Sequence, residues 1–272
     1  MKINFSIEEI NFDLLKMLLI DRTTKKNIIW ATNDYNALGE EYSARSEIKI
    51  ELITGNNSKI IQPRFLKSDQ HKKNRVRDKA EIFTPAWICN EQNNLIDQSL
   101  NTSDWRSYVE ANFLEITCGE APYIVSRYDS VTGEKIPIKN RIGLLDRKLR
   151  LVDENISSHN EWIEWTKKAF QSVYGYEFQG DNLLIARMNL MLTYIEYYKN
   201  RFSISPEQDH LKEIAKIISW NLWQMDGLTN KIPYFDDIHI NLFSKASEEN
   251  IYCKIFDWKD DKENVFDKDI RR

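Results

Sequence analysis

Between residues 7 and 20, apolar residues recur at Ile7, Ile10, Phe12, Leu14, Leu15, Met17, Leu18 and Leu19, mostly at helical spacing, which predicts a helix with one buried face. From 28 to 66 the apolar runs shorten to Ile28-Ile29-Trp30, Ile48 to Ile53 and Ile60-Ile61. Gly39 and Gly55-Asn56-Asn57 act as turn signals between them, so a small hairpin-like β element is expected. The stretch 64–79 is polar: Arg64, Lys67, Lys72, Lys73, Arg75, Arg77 and Lys79 stand against only Asp69 and Asp78. It reads as a basic connector that closes an N-terminal unit spanning 1–79.

Residues 80–272 follow a different rhythm, in which short apolar runs alternate with longer helical patterns, the mark of an α/β domain. The expected elements are a helix over 86–100, a strand over 113–117, a helix over 121–127 and a long connection to about 160. A helix over 162–171, a strand over 173–178, helices over 181–198 and 211–218, and a strand over 221–225 complete the series. Residues 181–195 are apolar on most faces, which suits a helix packed between a sheet and another layer.

Composition narrows the class. With 272 residues, 42% of them hydrophobic and 12% aromatic, the chain can bury one large core or two small ones. Its net charge of −4 supplies no general attraction to DNA or to an anionic membrane, so contact with nucleic acid needs a local patch or a partner. Cys89, Cys118 and Cys253 are odd in number and widely spaced, offering neither a disulfide framework nor a metal knuckle, and a reducing cytoplasm fits them best. No apolar run approaches the roughly 18–20 residues of a membrane span, and Glu8 and Glu9 stand where a signal peptide would be apolar. A cytoplasmic protein without membrane contact is expected. The histidines His71, His159, His210 and His239 show no metal-ligand spacing.

Candidate chemistry gathers at four places. Residues 111–124 read Ala-Asn-Phe-Leu-Glu-Ile-Thr-Cys-Gly-Glu-Ala-Pro-Tyr-Ile, an apolar strand running into Glu115 and then a small-residue turn. In an α/β sheet such a turn lets backbone N–H groups approach a ligand closely, and an acidic residue at the strand end accepts hydrogen bonds from hydroxyl or amino groups. Phe83-Thr84-Pro85 precedes it, and Tyr174-Gly175-Tyr176-Glu177 and Asn221-Leu222-Trp223-Gln224-Met225-Asp226 follow.

In this order the segments resemble the cofactor-binding half of adenine-N6 DNA methyltransferases of restriction-modification systems. Phe83-Thr84-Pro85 is similar to the family segment over the methionine end of S-adenosylmethionine, and Glu115 to Tyr123 is similar to its Glu-Pro-Ala-Cys-Gly turn. The resemblance implies a partial Rossmann-like methyltransferase sheet, preceded by the N-terminal helix and small β element. It also implies S-adenosylmethionine held by Phe83, Thr84, Pro85, Glu115, Thr117, Cys118, Gly119, Glu177 and Asp226. Glu177 would take the ribose hydroxyls, since a carboxylate accepts both hydrogen bonds of a vicinal diol. Asp226 would take the adenine amino group.

Two departures limit the resemblance. The family's catalytic Asn or Asp followed by Pro-Pro and an aromatic residue, which orients a flipped base, is absent: Pro63, Pro85, Pro122, Pro137, Pro206 and Pro233 are nowhere adjacent. Ala121 stands where the family prefers glycine, and a Cβ there is expected to crowd the cofactor. Methylation is therefore expected only with a partner that supplies the missing strands and loop, either a second chain or a further copy of this one. Duplex DNA would be reached through that complex, with Arg64, Lys67, Lys72, Lys73, Arg75 and Arg77 as weak candidates for phosphate contact. The rival expectation is a degenerate, non-catalytic binding or regulatory protein on the same fold.

Plainer roles stand beside these. Glu115 and Glu177 can be helix caps or ion-pair partners, Asp226 an ordinary turn residue before Gly227, and Cys118 a small packing residue with no nearby histidine to activate it. Glu47-Ile48-Lys49 with Asp34 upstream is the nearest approach to a metal-dependent nuclease signature, a short pattern that arises by chance in so charged a chain.

Overall fold

Three short parallel strands form the frame: β1 (Phe113–Glu115), β2 (Val173–Glu177) and β3 (Leu222–Gln224), in the order β1-β2-β3. Glu115 lies opposite Gly175 and Glu177 opposite Gln224, so the carboxyl ends of the strands open on one side. The computed structural model describes residues 2–79, 81–82, 84–100, 104–235 and 252–266. Around the sheet lie α1 (Phe12–Leu19), α2 (Asp69–Lys79), α3 (Ala86–Leu100), α4 (Trp105–Glu110), α5 (Leu144–Asn155), α6 (His159–Gln171), α7 (Gly180–Phe202) and α8 (Gln208–Asn221). An antiparallel pair, β4 (Lys254–Asp257) and β5 (Lys262–Val265), packs beside α8 through Trp220 and Phe256. The architecture is thus mixed α/β, as expected.

The central helix α7 is buried over almost its whole length, as its apolar pattern predicts. Its first residue must be glycine: a Cβ on Gly180 would lie 2.0 Å from the Ile29 carbonyl oxygen, while the Gly180 N–H donates to the Trp30 carbonyl at 2.9 Å. Within α7 the buried Arg187 donates to the carbonyls of Leu18 (2.5 Å) and Ile20 (2.9 Å) at the end of α1, and of Ser219 (3.3 Å) and Leu222 (2.6 Å) at the end of α8. Last-turn carbonyls have no partner within their own helix, so one guanidinium satisfies two helix ends at once. That clamp seats α1 against α7 and α8. Leu14, Leu18, Trp30, Ile48, Met188 and Ile214 consequently share one apolar core, which residues 1–79 help to build.

The structure corrects three expectations about elements. No β ladder forms between 28 and 66; the segment is a series of 3-10 turns joined by isolated antiparallel bridges, among them Ile29 with Glu47. The Gln224 side chain stands in for a partner strand, accepting from the Ile29 N–H at 2.9 Å and donating to its carbonyl at 2.8 Å. The helix expected over 121–127 is a run of turns instead. Its carbonyls at Tyr123 and Ile124 accept from Leu144 (2.8 Å) and Leu145 (2.9 Å), the first amides of α5, rather than from amides later in its own segment. Finally, the polar stretch 64–79 is no loose connector: it holds a 3-10 turn at Arg64–Leu66 and then α2.

Candidate functional site

A cleft of about 730 Å³ opens where β1 and β2 end. That size lies within the range of small-molecule sites, and the carboxyl edge of a parallel sheet is where such sites form. Its lining is apolar at Phe113, Leu114, Ile116 and Ile124 and polar at Glu81, Glu115, Glu177, Gln179 and Asn182.

The turn between β1 and the following loop is locally strained. Thr117, Gly119 and Ala121 all have positive φ (49°, 54° and 61°), alternating with Cys118 and Glu120, which do not. A β-branched residue at positive φ is uncommon, and alternation of this kind makes successive N–H groups converge into an anion-accepting nest. The Gly119 N–H donates to Glu177 Oε2 at 2.9 Å, and the Gln179 N–H donates to Oε1 at 3.1 Å. The carboxylate at the end of β2 therefore ties the turn to the entry of α7. Cys118 donates through its backbone to the Tyr176 carbonyl at 2.8 Å, and Gly175 makes room for it: a Cβ there would meet the Cys118 Cβ at 3.2 Å. The glycine of the Tyr-Gly-Tyr-Glu segment thus serves the approach of the turn.

Burial governs the acidity of the cleft. It pushes the Glu177 carboxyl up to about 7, against the two backbone N–H groups that favour its charged form. Burial also drives Glu115 well above the usual carboxylate range, with the charge of Glu177 adding to it. Oε2 of Glu115 and Oε1 of Gln179 are both buried without a hydrogen-bond partner among the described residues. Orphan acceptors of this kind are costly, and two in one cleft favour a ligand that brings hydroxyl or amino donors.

Behind the cleft lies a buried ionic network that the sequence did not announce. Arg75 donates from Nε to Asp34 (2.5 Å), from Nη1 to Glu81 (2.7 Å) and from Nη2 to Asp181 (2.5 Å). Asp181 also accepts from Lys67 Nζ at 3.1 Å and from the Tyr35 hydroxyl at 2.7 Å. Burial by itself would raise the Asp181 carboxyl, but Arg75 and Lys67 outweigh it and hold it well below the usual range. Asn182 donates to Glu81 at 2.9 Å, linking the network to the cleft wall. Nearby, burial lifts Glu120 to about 7; it accepts from the Arg64 N–H at 2.6 Å and the Tyr128 hydroxyl at 2.9 Å.

The sequence-predicted residues are distributed as follows. Thr84, Glu115, Thr117, Cys118, Gly119 and Glu177 line the cleft together, while Pro85 sits just before α3 and is not on the lining. Phe83 lies outside the described residues. Ala121 is fully buried in the core and contributes nothing to the cleft wall, so its methyl group does not crowd the site as expected. Asp226 is not on the wall either; it accepts from the Leu228 N–H at 2.8 Å and borders a smaller hollow that adjoins the cleft through Phe178. Of the basic candidates, Lys67 and Arg75 are buried and committed to carboxylates, and Arg64 donates to Glu81. None of these three presents a free cation to phosphate. Lys72 pairs with Asp69 on α2, while Lys73 and Arg77 are on its exposed face.

Glu81, Gln179 and Asn182 escaped sequence reasoning. Gln179 and Asn182 flank the start of α7 directly after Glu177, a position where side chains face a ligand at a strand end; Glu81 carried no signal apart from Arg75. Among the described residues no helix is long and apolar enough to cross a membrane, and no acidic, cysteine or histidine group is arranged to hold a metal ion. No protein-family model, curated protein or solved structure matches this chain.

Proposed function

We propose that the cleft binds S-adenosylmethionine, and that the chain is a methyltransferase-like subunit of a bacterial DNA restriction-modification or phage-defence system. The observation that carries this reading is the convergence of Glu115 and Glu177, from successive parallel strands, on one cleft beside the strained turn at 117–121. The residues suit the cofactor in three respects. Glu177 faces a position where a ribose diol can donate to it, the orphan oxygens of Glu115 and Gln179 call for amino or hydroxyl donors, and the apolar part of the lining suits an adenine ring. Bound there, the cofactor would supply an electrophilic methyl group, while this chain's residues hold and orient it.

Base positioning would come from a partner, because the sequence contains no adjacent prolines and so no Pro-Pro-aromatic loop. Among the described residues β1 is an edge strand, which supports that part of the reading. Leu114 and Ile116 are 41% and 63% exposed there, and an apolar sheet edge of this kind favours a covering chain. Titration calorimetry with S-adenosylmethionine and its demethylated product tests the proposal. One-to-one binding of either supports it, and absence of binding by both removes the cofactor.

A second reading has its own support. Both Glu177 oxygens already accept backbone N–H groups, and Asp226 is off the cleft wall, so the fold would stand as a non-catalytic binding protein without the cofactor. A calorimetric blank combined with retained self-association or partner binding would favour it.

A further inference from the structure

A second cleft, of about 770 Å³, lies between the loop preceding α5, the last turns of α5 and the C-terminal part of α7. It shares no lining residue with the first; along α7 Asn182 lines one and Glu196 the other, fourteen residues apart, about 21 Å at 1.5 Å per residue. Lys135, Lys139, Arg150 and Lys199 line it, and none forms an ion pair among the described residues. Its carboxylates are largely engaged. Glu196 is held by Arg127 at 2.9 Å and by Arg141, and Asp153 accepts from Trp162 Nε1 at 2.6 Å. The indole N–H is neutral and leaves the Asp153 charge in place, so Asp153 and Glu154 together offset two of the four cations. The two helix C-termini add roughly half a negative charge each, so about one positive charge stays uncompensated.

A second observation marks a site rather than a solvated basic face. Arg141 is 2% exposed, lines the cleft and has an Nη1 with no hydrogen-bond acceptor, although its Nη2 donates to Glu196 and its Nε to the Ile136 carbonyl at 3.4 Å. The Nε of Arg150 is also buried without an acceptor. Two guanidinium N–H donors left over in a positively charged concavity call for an anionic acceptor, and guanidinium forks suit phosphate oxygens. The concavity is several times larger than one phosphate group and continues into a neighbouring hollow that shares Lys139, Arg141 and Arg150. Tyr197, the aromatic residue on the lining of this cleft, is 1% exposed. With no open ring for a base to stack on, the cleft recognises the phosphates themselves.

We propose that this cleft is a binding site for a small ligand carrying two or more phosphate groups in series. It is independent of the cofactor reading, because no residue is shared between the two clefts. Titration calorimetry of the full chain with sodium tripolyphosphate, orthophosphate and a blunt duplex oligonucleotide tests it. The expected result is one-to-one binding of tripolyphosphate, at least ten-fold tighter than orthophosphate. Lys139→Glu and Lys199→Glu, both exposed and without an ion pair among the described residues, should each weaken it about ten-fold or more with an unchanged melting temperature in the absence of ligand. Lys59→Glu, an equal charge change on an exposed lysine elsewhere, should leave binding as it was. Failure of tripolyphosphate to bind, or an equal loss in Lys59→Glu, would overturn the site. Duplex binding that is tighter than that of tripolyphosphate, is displaced by it and is lost in Lys139→Glu would overturn the small-ligand assignment.

Discussion

Replacing Arg75 by methionine is the sharpest test of how the N-terminal residues are joined to the cleft. The guanidinium donates to Asp34, Glu81 and Asp181, and Arg75 itself is 1% exposed. Methionine keeps much of the volume but leaves Glu81 and Asp181 buried with only Lys67, Arg64, Tyr35 and Asn182 for support. Each charge-assisted hydrogen bond is worth about 1.5–3 kcal/mol, but the three share one cation and do not add, so the expected loss is that of breaking a buried ion pair, about 3–5 kcal/mol. Urea unfolding followed by tryptophan fluorescence reads it. The pH dependence supplies the sign. In the parent protein the Asp181 carboxyl is held well below its unfolded value, so its contribution is present above about pH 4 and is lost as pH falls through the folded value. In the variant burial dominates, the carboxyl pKa rises in the folded state, and the stability gap to the parent should narrow as pH is lowered from about 7.5 to about 5. A loss below about 1 kcal/mol with a gap that does not change with pH would show that the network does not join these segments.

If the cofactor proposal holds, Glu177→Ala weakens S-adenosylmethionine binding by about 1–3 kcal/mol, and calorimetry indistinguishable from the parent would displace the ribose from β2. Because the Glu177 carboxyl sits at about 7, the parent's affinity should rise as its charged form fills above that pH; a flat profile from about pH 6 to about pH 8 would count against the carboxylate as the acceptor. Gly180→Ala places a Cβ 2.0 Å from the Ile29 carbonyl oxygen and should cost about 3 kcal/mol, at the upper end of overpacking, whereas an unchanged urea midpoint would mean that the backbones do not meet there. Thr117→Gly releases a β-branched residue from φ 49° and should stabilise the chain by about 0.5–1 kcal/mol after the entropic cost of glycine; a lower melting temperature would argue that the turn carries no strain.

The parts of the fold that were legible are those where one period dominates. α3, α6, α7, α8 and the strands at Phe113 and Val173 carry apolar residues at spacings that burial enforces, and they end within a few residues of where the pattern ends. α5 was missed because Arg147, Lys148 and Arg150 interrupt its apolar stripe. Yet Lys148 is fully buried, its Nζ donating to the Val109 carbonyl at 3.0 Å and to Ser172 Oγ at 2.5 Å at the ends of α4 and α6. Burial drives its pKa well below the ordinary lysine value, a setting that local polarity cannot forecast. The segment 28–66 failed for the opposite reason. Its apolar runs look like strands and are buried, but a side chain from β3, 195 residues away in sequence, makes the hydrogen bonds that a neighbouring strand would make.

The same logic explains why the cleft was half legible. Glu115 and Glu177 announced themselves as acidic residues closing apolar runs, and the parallel register brings them together without further help. The basic stretch at 64–79 invited an electrostatic reading because charge counted along the chain ignores what lies opposite it. Asp34 and Asp181 are separated from Arg75 by 41 and 106 residues, and only the fold turns Lys67 and Arg75 from surface cations into the paired, buried hinge pin of the cleft wall, while Lys73 and Arg77 stay exposed. A buried ion pair adds little stability over an apolar substitute, but it penalises every arrangement that leaves one partner alone. Arg75 therefore specifies how the N-terminal segment meets α7, and with it the position of Glu81 and Asn182 at the mouth of the site. A cleft assembled in this way depends on pairing across the whole chain, so changes in residues 34–81 that never touch a ligand should still alter what the cleft can hold.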